Sequence, residues 1–559
     1  MATPASKLDA LRIGRSAIDN HYLDELAAGR LSRREFVRRG AAVGFSSTFV
    51  AAALAACGNA NSSSSSAPSS SAAPTKGGTL KLASQTPTGA INPITISDLG
   101  GSTLLTQTGE FLTFDNAAAG HLQPMLATSW SHNGDGSVWT FKLRTGVKFH
   151  NGKEMNADDV VYTFKQQTDP RNAAVALSTF EGVLKPEGVI RVDPTTVAFH
   201  LEAPNGNFPY IISSDNYNLI IVPDGTDFGH WQKTFVGTGP FKLSSYTQNQ
   251  GAEFVANHDY WGEAPHLSGT SFQFYASQQA QIVALQGGQV DVVSQFTAQG
   301  AEGLLKSSSF RIIKVRSASH RELSMRNDIE PFTDPRVRQA IALSIDRPSM
   351  VSALLAGDGQ VGNDNPFAPK FASTNTSVPQ RVQNLSKAKQ LLSAAGHPDG
   401  FETTLTAGEQ EEIPALAQVF AADAAKIGVK IKLKIETLTA YYGKSTYGNS
   451  DWLDAIMSLV EYGDRGVPNV FLEAPLESTG PWNAARFKNK TYDGLVRQYI
   501  AAVDLQTQRT IAGKIERLLL EQTPLVIPYF ADILAATTAK VQGVQVNGFA
   551  IFLGTASMT

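Results

Sequence analysis

The chain of 559 residues contains one cysteine, Cys57. No disulfide can form within it, so whatever it folds into is held by buried apolar surface and hydrogen bonds. Single cores stop growing at about 250–300 residues, so a chain this long is expected to form two or three lobes. Its 42% hydrophobic and 17% charged content is that of an ordinary globular protein. The net charge of −3 is unevenly spread. Residues 1–56 carry eight Lys and Arg against five acids, a net of +3, which leaves −6 for the remainder. A mildly acidic body carries no electrostatic footprint for nucleic acid.

The position of Cys57 explains its solitude. Ser32-Arg33-Arg34-Glu35-Phe36-Val37-Arg38 resembles the twin-arginine export signal, with Arg33 and Arg34 as the paired bases. An apolar stretch follows from Gly40 to Ala56. At about 17 residues it is short for a membrane span, which needs roughly 20, and suits a signal segment better. It ends at Leu54-Ala55-Ala56-Cys57, which resembles the lipobox of bacterial lipoproteins. That resemblance implies acylation of Cys57 and removal of residues 1–56. Residues 57–75 are then a Ser- and Ala-rich tether that cannot bury a core. The expected order is lipid, tether, globular body, on the extracytoplasmic side of a membrane. An enzyme or a receptor could be displayed this way.

The body mixes strand and helix signals throughout, so its class is α/β or α+β. Leu80 and Leu82 alternate with polar neighbours, as do Trp139, Phe141 and Leu143. A second strand is expected at Val147–Phe149, closed by the turn Asn151-Gly152. Asn156 is placed to cap a helix carrying Val160, Val161 and Phe164. Asp334-Pro335 opens another helix with Val337, Ile341, Ser344 and Ile345 on one face. Tyr492–Glu521 reads as one long helical region, followed by a buried strand at Leu525–Phe530.

Several of these segments resemble one family, the peptide, dipeptide, opine and nickel class of solute-binding proteins serving ATP-driven importers (family 5). The resemblance rests on 143–152 with 156–160, on Gly237-Thr238-Gly239-Pro240-Phe241 leading to Asn257-His258-Asp259-Tyr260-Trp261-Gly262, and on Asn327, Pro331-Phe332-Thr333-Asp334 and Arg336–Arg347. They occur in the family's order and spacing. They are mostly structural: Gly237, Gly239 and Pro240 are expected to set a tight turn, and Tyr260-Trp261-Gly262 to supply packing and a turn.

The resemblance implies an α/β, two-lobed periplasmic-binding-protein-like fold with a hinge. Lobe one would comprise 76–120, 237–330 and 526–559. An extra subdomain would span 121–236, and lobe two 331–525. The hinge crossings are expected near 326–331 and 523–528. The implied function is delivery of a peptide-like solute to the permease subunits of an importer, by a monomer that needs no cofactor.

In members of that family, a second-lobe segment with an aromatic and a carboxylate grips a peptide amine. The comparable stretch here is 460–469, with Asp464-Arg465 and no Asp-Pro pair. Glu461, Asp464 and Arg465 would fit a zwitterion, or form an internal ion pair. Trp482 would be a stacking wall for a solute, or lobe packing, and Tyr441 and Tyr442 are candidates of the same kind. Arg326, on an apolar-looking strand, should face the cleft or pair with an acid such as Asp328. Alternative roles within the same fold are a binder of a nickel chelate, opine or sugar, or a sensory receptor. The ten histidines show no HxxxH or HxH spacing, so no metal site is expected. No GxSxG, HExxH or P-loop pattern is present, and Glu409, Glu411 and Glu412 read as a solvated acidic face rather than catalytic carboxylates.

Overall fold

In the strand Thr79–Gln85 the apolar side chains face both ways: Leu80 and Leu82 enter one core and Ala83 another. A strand buried on both faces belongs at the centre of a sheet, and this one pairs in parallel with Gly269–Tyr275 and Val292–Phe296. The structure, a computed structural model, describes residues 76–116, 121–548 and 550–559. The export signal, Cys57 and the tether lie outside the described residues.

The first sheet has seven strands, in the order Phe310–Val315, Ile533–Thr538, Val292–Phe296, Thr79–Gln85, Gly269–Tyr275, Gly251–Ala256 and Phe241–Thr247. A second sheet runs Gly359–Val361, Tyr529–Ala531, His320–Met325, Met457–Tyr462, Glu402–Gly408 and Lys430–Glu436, with Leu525–Val526 also pairing to His320–Met325. A third, antiparallel sheet of Ala127–His132, Val138–Leu143, Thr196–His200 and Val189–Asp193 lies within the span expected for the extra subdomain. Trp139, Phe141 and Leu143 are buried there as their alternation predicts. Each such side chain removed from water stabilises by roughly 1.5–3 kcal/mol.

The chain passes between the two large sheets twice: at residues 316–319, and at Asp532. These crossings differ from the expected 326–331 and 523–528. The strand His320–Met325 is buried along its whole length and needs partners on both edges, which only the second sheet supplies. It was expected in lobe one, as was Tyr529–Ala531, and both pair in the second sheet.

Local signals are reproduced where side chain and backbone agree. Asn156 Oδ1 accepts from Asp158 N at 2.7 Å and Asp159 Oδ2 accepts from Asn156 N at 2.9 Å, a reciprocal cap on Ala157–Thr168. Asp334 accepts from Arg336 N at 2.8 Å and Pro335 opens Pro335–Ser344. The Asn151-Gly152 turn forms with Gly152 at φ +87, but its arms make only the bridge Lys148–Glu154, not a strand.

The expected single helix after Tyr492 is two, Lys490–Ala501 and Leu505–Gln522. Asp504 caps the second by accepting from Thr507 N at 2.8 Å, and Gly206 N donates to Ile500 O at 2.7 Å where the first ends. Leu525–Phe530 is likewise interrupted, by Ile527-Pro528.

The glycines of the 237–241 motif serve close approach rather than a turn. A Cβ on Gly237 would lie 2.0 Å from Thr108 O, and one on Gly239 2.7 Å from Thr108 C. The same motif meets Tyr260-Trp261 on one buried carboxylate. Glu110 accepts from Tyr260 Oη at 2.7 Å, from Trp261 Nε1 at 2.8 Å and from Thr238 Oγ1 at 2.8 Å. Burial pushes the Glu110 carboxyl up to about 7, against the pull of those three donors.

Candidate functional site

Strand ends of both large sheets open onto one cavity of about 350 Å³. Gln85 and 295–298 come from the first sheet, 410–412, Glu461 and 463–465 from the second, and 531–534 from the crossing at Asp532 and its flanks. Crevices beyond the carboxyl ends of parallel strands are where open α/β sheets bind ligands. Here Thr79–Gln85, Val292–Phe296, Glu402–Gly408 and Met457–Tyr462 all end at the cavity.

The second-sheet wall is built on Arg321, which is 2% exposed. Its Nε pairs with Glu412 Oε1 at 2.9 Å and its Nη1 with Glu461 Oε1 at 3.6 Å, while Nη2 bonds Glu411 and Glu412. Tyr529 Oη donates to Glu412 Oε1 at 2.8 Å, and Gln410 Nε2 to Glu461 Oε2 at 3.3 Å. One guanidinium thus holds three carboxylates. Burial works against its charge, and Glu412, Glu461 and Glu411 outweigh that, so its pKa rises. Burial lifts Glu411 to about 7 despite Arg321. Glu411 also has φ +46, a conformation that costs a non-glycine residue on the order of 1 kcal/mol. Both line the cavity, but only Glu412 is buried, at 3% exposed; Glu411 stays exposed, so the expected solvated face fails at Glu412 alone.

Asp464 stands in the same wall, buried. Its Oδ1 accepts from Ala318 N at 2.6 Å, tying it to the crossing at 316–319, and Lys370 Nζ bonds Oδ1 and Oδ2 at 2.9 Å each. Asp115 and Asp215 approach the same lysine from the first-lobe side, and their carboxyls are within hydrogen-bond reach of each other. Burial opposes the Lys370 charge, but Asp464, Asp215 and Asp115 raise its pKa; burial also pushes both Asp115 and Asp215 up. Of the three, Asp464 alone pairs directly with the ammonium.

The sequence candidates divide. Asp464, Arg465 and Glu461 line the cavity. Arg465 is exposed, and among the described residues its guanidinium pairs with no carboxylate; Nη1 donates to Asp464 O at 2.7 Å. Arg326 lies past the end of its strand, paired with Asp328 at 2.7 and 2.9 Å. Trp482 stacks on Tyr462 at 6.0 Å and tilts against Trp452 at 6.2 Å. Tyr441 is buried with Oη donating to Leu459 O at 2.8 Å, and Tyr442 packs on Trp452 at 5.4 Å. These last three form an aromatic cluster beside the cavity wall instead of lining it. Arg321, Lys370, Asp115 and Asp215 were not anticipated. The signal for Arg321 was present, since three consecutive ionisable residues, His320-Arg321-Glu322, directly precede Leu323-Ser324-Met325 in one short stretch. Among the described residues, no group of three His, Cys, Asp or Glu is arranged to hold a metal ion, and no helix is long and apolar enough to cross a membrane.

Two sheet-based lobes joined by two crossings, with a polar cavity at their strand ends, define a solute-binding protein. The chain belongs to the bacterial extracellular solute-binding proteins of family 5, whose model matches residues 121–480. It is 27% identical over 454 residues to heme-binding protein A of Haemophilus influenzae, covering 76% of this chain and 81% of that one. It is 26% identical over 457 residues to the dipeptide-binding protein of Escherichia coli, covering 76% and 84%. Its fold matches the transporter-associated periplasmic binding protein of Helicobacter pylori solved with the peptide STSA, with a TM-score of 0.69, 24% identity, and coverage of 87% and 98%. These relatives are solute-binding proteins, not enzymes.

Proposed function

We propose that this chain is an exported, lipid-anchored receptor that captures a peptide-like solute between its lobes and presents it to the permease of an ATP-driven importer. The observation that carries the reading is the cavity at the strand ends of both sheets, lined by Asp464, Glu461 and Arg465. Charges of both signs on one wall suit a zwitterion, and the dipeptide-binding relative supports a peptide over a sugar or opine. Lobe one comprises the first sheet, with 121–236 as its extra subdomain, and lobe two the second sheet. The crossings at 316–319 and 532 act as the hinge. A solute shifts the open–closed balance only by preferring the closed form. Solution scattering should therefore show compaction with a bound solute; tight binding with unchanged scattering would remove the hinge from the reading.

Anchoring rests on the sequence around Cys57. Cys57→Ala should release the protein from the membrane fraction or leave it unprocessed, and changing Arg33 and Arg34 to Lys should block export. Labelled fatty acid on the Cys57→Ala protein, or normal export without a twin-arginine translocase, would refute the respective step.

A further inference from the structure

Asp464 lines the chamber at the strand ends, but its charge is already answered from within the chain. Lys370 Nζ lies 2.9 Å from each of its carboxyl oxygens, and Ala318 N donates to Oδ1 at 2.6 Å. The lysine and aspartate side chains are 12% and 5% exposed, so the pair is held away from water. Lys370 does not line that chamber. It lines a separate cavity of about 560 Å³, together with Asp115 and Arg316. The segment that carries it is pinned by buried Phe367, Ala368 and Phe371. Burial opposes its charge, but Asp464, Asp215 and Asp115 favour it, so the ammonium persists where it stands.

A solute ammonium placed on Asp464 would therefore meet a second cation across the same carboxylate. Like charges at such short range repel, and in a partly dry site they do so several times more strongly than in water. Arg465, next in the chain, is the opposite case. It lines the chamber, is exposed, and pairs with no carboxylate among the described residues. The other arginine of the chamber, Arg321, is taken up by Glu411, Glu412 and Glu461. The cation left for a solute is Arg465.

We propose that Lys370 determines specificity: it fills the place that a solute ammonium would take at Asp464, and the site receives a peptide-like solute whose amine is blocked and whose carboxylate meets Arg465. The proposal rests on the peptide reading and narrows it.

Titration calorimetry of alanylalanine and N-acetyl-alanylalanine on the full chain tests this. Wild type should bind the acetylated peptide at least as tightly as the free amine. Lys370→Met removes the internal cation and should reverse that order. The free amine should then bind about tenfold more tightly or better, because charge-assisted bonds to a carboxylate are among the strong ones. Lys370→Arg keeps a cation there and should keep the wild-type order. An ion pair that only held the fold would change both affinities together and leave their order alone. Tighter binding of the free amine by wild type, or an unchanged order in Lys370→Met, would overturn the role of Lys370 and leave the peptide reading standing. Binding of neither peptide by wild type or by Lys370→Met would overturn the peptide reading and this inference with it. The wild-type comparison decides if Lys370→Met does not fold.

Discussion

Replacing Arg321 by leucine should cost the second lobe about 3–5 kcal/mol, because it leaves Glu411, Glu412 and Glu461 without the one cation they share. The measurement is a urea melt followed by tryptophan fluorescence. Its pH dependence carries a sign. Without Arg321 the Glu411 carboxyl, already raised by burial, rises further above its unfolded value, because the guanidinium that lowers it is gone. A carboxyl raised in the folded state stabilises below its unfolded pKa, and that contribution is lost as pH rises through the folded value. The deficit should therefore be widest above pH 7, where wild-type Glu411 already titrates at about 7, and narrow toward pH 5. Leucine at both 321 and 412 should recover part of the loss, since the pair is coupled. A deficit that does not depend on pH would mean that the carboxylates are solvated and that Arg321 acts only by packing.

Asp464→Asn should damage both folding and binding. The sequence leaves Asp464 open between a contact to a zwitterion and an internal ion pair. In the structure Asp464 bonds Lys370 and the amide of Ala318 at the first crossing. Removing its charge leaves a buried ammonium facing Asp115 and Asp215, a loss on the order of 3 kcal/mol, tempered by those two acids. Solute affinity should fall at least about tenfold, since 1.4 kcal/mol is a factor of ten. Melting without solute and calorimetry with it separate the two effects. An unchanged melting temperature with lost affinity would restore the simpler view of Asp464 as a free ligand contact.

The contrast between Asp464 and Arg321 shows where sequence reasoning reached. Alternation at Leu80, Trp139 and Phe141, and caps at Asn156 and Asp334, are local, so they are legible from neighbours in the chain. Asp464 was found only because a resemblance pointed to 460–469. Its partner Lys370 is 94 residues away, and Glu411 is 90 residues from Arg321. Nothing near Glu411 says that a buried strand will place a guanidinium beside it, so a run of acids reads as a solvated face. Arg326 was open between cleft and acid because both outcomes satisfy a charge on an apolar strand; the choice was made by where the strand ends. The crossings moved for a related reason. His320–Met325 carries His320, Arg321 and Glu322, which do not look like a central strand until Met457–Tyr462 and Leu525–Val526 pair on its two sides.

The central claim is that the space between the lobes holds a small organic solute. Native mass spectrometry of the protein purified from its own host, after incubation with that host's small-molecule extract, tests it most directly. One solute per chain should be retained under native conditions and shed on denaturation, with a mass that fits a short peptide, and Asp464→Asn should retain much less. A bare chain mass under the same conditions, for wild type and Asp464→Asn alike, would contradict the claim.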